Sequence, residues 1–242
     1  MFLFPYRTDA PLYHFPYATI GLIVVNVLAF IAVIGGSGDV KSYTLEYGEG
    51  LKPLQWMTSN FIHGGLMHLF GNMIALWTFG LLVEGKLGAL VFLPLYLGMG
   101  FVQCGLEQAV MSGSGSDGGS FGASAILFGL MAIAMVWSPK NDVGIAGLVF
   151  IRPVNFDAPI LIFAILMFVW EGIQSALVGF SVSTAVLHMS GAALGLVVGT
   201  AFVKFGWVDC EGWDLFSVMA GETGTGREVT KAKVNSKKKG TK

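Results

Sequence analysis

Six stretches of this chain, residues 17–35, 66–83, 87–106, 121–137, 158–178 and 185–206, are apolar over a length that reaches or approaches a bilayer span. A helix needs about 20 such residues to cross a hydrocarbon core about 30 Å thick. Inside that core every backbone N–H and C=O must be paired within the protein, so the stretches predict helices. The charges agree. Only 7 Lys or Arg and 10 Asp or Glu precede Trp207, while seven further cations fall within the last sixteen residues. So few charges could not cover a soluble domain of that size. Glycine, 34 of 242 residues, runs at about double its average usage, as expected where helices pack closely in lipid. The expectation is an all-α membrane protein. The first stretch lacks a basic leader and a small-residue cleavage site, so it reads as a retained span and not as a signal peptide.

The same distribution excludes other classes. Nucleic-acid binding needs a basic face on a folded domain, and here the cations sit in a terminal tail. A disulfide scaffold is excluded because Cys104 and Cys210 are the only cysteines and the expected topology puts them on opposite sides of the membrane. Twelve cations, Arg7, Lys86, Lys140, Arg152, Lys204 and the seven of the tail, fall on one side if both termini share it; Lys41 and Lys52 fall on the other. The positive-inside rule then makes both termini cytoplasmic, and the membrane is read as a bacterial inner (plasma) membrane. Three segments follow: an N-terminal segment 1–16, a six-helix unit 17–206 and a basic tail 207–242. The tail reads as a disordered solvated end, with attraction to anionic lipid as the second reading. Residues Ser112–Gly119 read as a flexible loop.

Polar residues are costly in a span, so their placement is informative. His68 and Asn72, four apart, share one face of the second helix near its outer end. Ser124 and His188 lie near the outer ends of the fourth and sixth. All four fall within roughly 10 Å of the outer boundary. Singly each has a structural reading: a serine bonding its own backbone, a histidine at the water interface, an asparagine bonded across helices. Coincident depth on three helices requires that they face one another, because lipid would leave them unsatisfied.

A serine hydroxyl is a poor nucleophile without a neighbouring base, and His188 and His68 are the imidazoles at its depth. None of the seven aspartates lies inside an apolar stretch, and Glu84 and Glu171 are taken as the only acids in or beside one. A hydrolase built on these residues would use a Ser–His dyad, with packing orienting the imidazole. Gly191, Gly195 and Gly199 repeat every four residues below His188, and Ala125 and Gly129 do the same below Ser124. Small residues at that spacing let two helices approach closely enough for a hydroxyl to meet an imidazole.

These residues carry a family pattern. The run Gln55 to Asn72, with its H-x-x-x-N element, Glu84-Gly-Lys-Leu-Gly88 followed by Tyr96 and Gly100, Gly122-Ala-Ser124 with Gly129, and His188-x-x-Gly191-x-x-x-Gly195 appear in order on successive helices. Over roughly Tyr17 to Phe205 the chain resembles the rhomboid intramembrane serine proteases. The resemblance implies a six-transmembrane-helix bundle around a water-filled cavity open to the outer side. It implies Ser124 as nucleophile, His188 as general base, and His68 and Asn72 with the Ser124 backbone N–H as oxyanion hole. It implies no cofactor and no metal, and it implies partners that are membrane-protein substrates with a transmembrane helix, cut near the outer face.

Ala125 stands where the family has glycine. Glu84 reads as a structural hydrogen-bonder. Glu171, toward the outer end of the fifth helix, reads as an interior pair, with a gating role open. His63 either assists at the cavity mouth or is a plain loop histidine. A catalytically inactive rhomboid-like binding or quality-control factor is the alternative, although both serine and histidine are present. A transporter would need polar residues through the inner halves of the helices, and a zinc protease would need H-E-x-x-H, which His63-Gly-Gly-Leu-Met-His68 does not supply.

Overall fold

The computed structural model describes residues 2–36, 40–114, 118–149, 152–177 and 184–221. Asp39, Asp117, the centre of the Ser112–Gly119 loop and the seven tail cations lie outside the described residues.

Among the described residues the apolar stretches form α1 (Tyr17–Ile34), α3 (Leu66–Leu87, with a π-helical turn at Leu76–Gly80), α4 (Ala89–Ser114), α5 (Ser124–Trp137), α6 (Ile160–Leu177) and α7 (Thr184–Lys204). A short α2 (Pro53–Thr58) precedes α3, and α8 (Leu215–Ala220) follows α7. Five of these helices are long and apolar enough to cross a membrane. The fourth apolar stretch is the exception: helix begins only at Ser124, and α5 has 14 residues, about 21 Å at 1.5 Å per residue. Twelve of those 14 are buried. Protein and not lipid surrounds α5, so its length need not match the bilayer.

The seam between α5 and α7 explains how so short a helix is held. A Cβ on Gly191 would collide with the carbonyl oxygen of Ala125, and one on Gly195 with that of Gly129. Only glycine allows backbone to meet backbone there. At the far end of the seam, Trp137 Nε1 donates to Gly199 O at 2.9 Å.

Glu84, fully buried in α3, accepts from Ala18 N (2.8 Å), Thr19 N (2.7 Å) and Thr19 Oγ1 (2.7 Å). It satisfies orphan donors of the first turn of α1, which its own sequence leaves uncapped. α4 runs past the expected boundary at 106, and its polar end anchors the segment before α3. Gln108 Oε1 accepts from Lys52 N (2.8 Å) and Trp56 Nε1 (2.6 Å). Glu107 accepts from Gln103 Nε2 (2.9 Å), Tyr47 Oη and Ser120 Oγ. Leu45–Glu46 (β2) and Gly119–Ser120 (β3) pair beside it.

The all-α expectation needs one correction. Phe2–Thr8 (β1), Asp142–Val149 (β4) and Arg152–Pro159 (β5) form an antiparallel sheet in the order β1-β4-β5. It lies against α3: Thr78 Oγ1 donates to Pro5 O (2.8 Å), and the Phe4 and Phe70 rings meet edge to face at 5.6 Å. A connection that reads as loop becomes strand because its partner comes from the far N-terminus. The start of the expected tail is structured. Asp214 caps α8 through Phe216 N (3.0 Å) and Ser217 N (3.1 Å), and Cys210 is buried.

Candidate active site

α5 starts where it does because of Gly122, at φ 113°, a conformation that side chains rarely adopt. Gly122 N donates to Ser59 O at 2.9 Å, and the chain then enters the helix with no side chain capping it. Ser124 is therefore the first helical residue. The first N–H groups of α5 lack intrahelical partners, and the positive end of the helix dipole lies at the serine.

Gly122 has a second reason to be glycine. A Cβ there would lie 2.9 Å from His68 Cε1, 3.0 Å from His68 Nε2 and 3.7 Å from Asn72 Nδ2. The first turns of α3 thus press against the entry to α5. Gly64 N donates to His68 Nδ1 at 3.4 Å, which favours the tautomer with the ring proton on Nε2, the nitrogen nearest Gly122. Asn72 Nδ2 is buried without a hydrogen-bond partner. Asn72 Nδ2 and His68 Nε2 thus lie on the same side of Gly122, and the Asn72 donor is unspent.

That space is a cavity of about 1560 Å³ lined by Ser124, His188, His68 and Asn72. The four residues singled out from their depth are brought together around it. Ser124 and His188 are not hydrogen-bonded to each other, since neither ring nitrogen of His188 has such a partner. The His188 ring is stacked on Phe128 of α5, centroids 4.3 Å apart and planes 10° from parallel. Stacking holds the imidazole plane without consuming either nitrogen.

Two acids stand at the site. Glu171 Oε1 lies 3.2 Å from His188 Nδ1, with the two side chains 13% and 14% exposed. That is an ion-pair distance without the alignment of a hydrogen bond. A carboxylate does reach the imidazole: Glu171 forms the interior pair expected of it, and its partner is the ring that the dyad reading left to packing alone. Glu107, buried at the end of α4, lines the same cavity; it was missed because α4 was expected to stop before it. Its hydrogen bonds to Tyr47, Ser120 and Gln103 would have been the signal only if the longer helix had been foreseen. His63, just before α3, is buried with its ring edge-on to His68 at 5.1 Å. Burial, with His68 alongside, pushes its imidazole down to about 4, so it is neutral at pH 7 and supports the His68 ring. Among the described residues no group of three or more His, Cys, Asp or Glu could hold a metal.

Residues 51–205 match the family profile described as Rhomboid domain. Curated relatives include the presenilin-associated rhomboid-like protein A, mitochondrial, of Danio rerio, 27% identical over 157 residues, which is 65% of this chain and 39% of that protein. The presenilin-associated rhomboid-like protein, mitochondrial, of Homo sapiens is 25% identical over 179 residues, 73% of this chain and 46% of that protein. The Bos taurus protein of that name is 26% identical over 140 residues, 58% and 36% of the two chains. The chain spans less than half the length of these relatives. Their mitochondrial designation overturns the expectation of a bacterial inner membrane with cytoplasmic termini. The positive-inside rule distinguishes two faces of a membrane and says nothing about which membrane it is. Membrane association itself stands on the five spans.

Proposed function

The chain belongs to the rhomboid family, and from that premise we propose that it is an intramembrane serine endopeptidase acting on other proteins' transmembrane helices. In this reading residues 17–206 are the protease unit, flanked by 1–16 and 207–242. α5 is the sixth span, sheltered by the other helices, and the cavity above its short end admits the water that hydrolysis consumes. Ser124 Oγ attacks the scissile carbonyl carbon while a ring nitrogen of His188 takes its proton. The oxyanion receives hydrogen bonds from His68 Nε2, Asn72 Nδ2 and the Ser124 backbone N–H, each such donor being worth about 3–4 kcal/mol in a transition state. The imidazolium returns the proton to the leaving amine, and water then cleaves the acyl-enzyme by the same route.

One observation carries this reading. A serine at a helix N-terminus shares a cavity with His188, whose ring nitrogens have no hydrogen-bond partner among the described residues, with the unpartnered amide of Asn72 and with the ring of His68. Ala125, in the place of the family's glycine, supports close packing as well, because its carbonyl is the one that meets Gly191. The alternative, a catalytically inactive binding or quality-control factor, draws on the missing Ser124–His188 hydrogen bond. Such bonds are commonly loose before substrate arrives, so the protease reading is preferred. A fluorophosphonate probe should label Ser124 alone, with labelling lost in Ser124→Ala and His188→Ala, as read by mass spectrometry. Cleavage of a membrane-helix reporter by Ser124→Ala at the wild-type rate would sink the assignment.

A further inference from the structure

The family resemblance implies a dyad, yet His188 has a carboxylate beside it. Glu171 is placed by α6, a helix of 18 residues of which three are buried. The Glu171 side chain is nevertheless only 13% exposed, because it turns inward to the α7 imidazole. An ionisable group in a span is costly and normally faces a partner or a water-filled space. The partner here is His188 Nδ1, at 3.2 Å.

Resting on the protease reading above, we infer that Glu171 is a positioning residue completing a Ser124–His188–Glu171 triad: its carboxylate fixes the His188 proton on Nδ1 and leaves Nε2 to accept the proton of Ser124. The ring cannot serve the serine with a nitrogen that carries hydrogen, so the tautomer decides whether a base exists. Phe128 sets the plane of the ring, but stacking is indifferent to which nitrogen is protonated. A carboxylate at Nδ1 is not. It also stabilises the imidazolium formed when Ser124 attacks, without itself becoming protonated. The carboxylate oxygen lies off the Nδ1–H axis, and alignment needs reorientation of Glu171 or a small shift of α6. Because α6 is the loosely packed helix, its position would govern how well the base is set.

The test compares wild type, Glu171→Gln, Glu171→Asp and Ser124→Ala in a reconstituted reporter assay, with kcat and KM determined separately. Gln keeps the shape and removes the charge. Glu171→Gln should lower kcat by about 10- to 100-fold, less than the roughly 100- to 10,000-fold that proton transfer itself contributes because the base is kept and only its orientation is lost, and leave KM within about twofold. Glu171→Asp should recover part of the loss. A second readout is independent of turnover: the imidazole 15N shifts of His188 in wild-type protein should report the Nδ1–H tautomer, and Glu171→Gln should move the ring toward Nε2–H. If wild type cleaves, Ser124→Ala does not, and Glu171→Gln equals wild type, the positioning role is overturned and the protease reading stands. A wild-type protein that neither cleaves nor takes the phosphonate overturns both. Wild-type His188 protonated on Nε2 overturns the positioning role even where the variants fail to fold.

Discussion

α5 and α6 follow one another in the chain and are held by opposite means. Of the 14 residues of α5, twelve are buried, and its backbone lies directly on the glycines of α7. Of the 18 residues of α6, three are buried, and Leu166, Val169 and Trp170 are more than half exposed. One helix is a fixed post carrying Ser124 at its tip. The other is a lipid-facing lever carrying Glu171. Interiors packed to crystal-like density do not deform gradually, whereas a helix with few buried contacts is drawn from the less stable part of a fold. The difference teaches that Ser124 and Glu171 are held in place by different parts of the packing.

Breaking the fixed side should have the largest effect. Gly195→Leu drives a side chain into the Gly129 carbonyl, so α7 must move away from α5 and take His188 with it. Overpacking of this kind costs about 3 kcal/mol or more when backbone is the obstacle. Reporter cleavage should be abolished and the melting temperature in detergent should fall, while membrane insertion persists. Full activity would mean that this face does not control the distance between Ser124 and His188. Next in size is Leu130→Ala, at a fully buried position in α5; removing a packed leucine costs about 2–5 kcal/mol, readable as a lower unfolding midpoint. Leu166→Ala, on α6 and 63% exposed, should be the smallest, within about 0.5 kcal/mol. Equal destabilisation by the two leucine variants would erase the contrast between post and lever.

Much of this was legible in the residues. Apolar runs and spacing located the spans to within about four positions except at the end of α4, which runs eight residues further, and depth selected Ser124, His188, His68 and Asn72, which line one cavity. Depth is readable because each residue's distance from its own helix end is a local property. Azimuth is not. That Glu171 turns inward follows from the cost of a charge in a span, but which group it meets depends on how α6 is rotated against α7, and no local pattern records that rotation. Glu107 was lost for a related reason, since a helix that leaves the apolar stretch and continues through Gln103, Glu107 and Gln108 keeps polar partners which composition reads as loop. The structured part of the tail was hidden by averaging: Asp214 and α8 were pooled with the basic residues that follow.

The N-terminal strand has a consequence for how the chain is assembled. Phe2 pairs with Leu148 and Thr8 with Val143, so the residues of β1 find their partners roughly 140 positions later. Every helix up to α5 must exist before β4 does. Contacts of such long sequence separation form slowly, because the entropy of closing the loop is lost before pairing repays it. β4 and β5 are neighbours in the chain and can pair at once, so it is the addition of β1, with its docking against Thr78 and Phe70, that high sequence separation makes the late step.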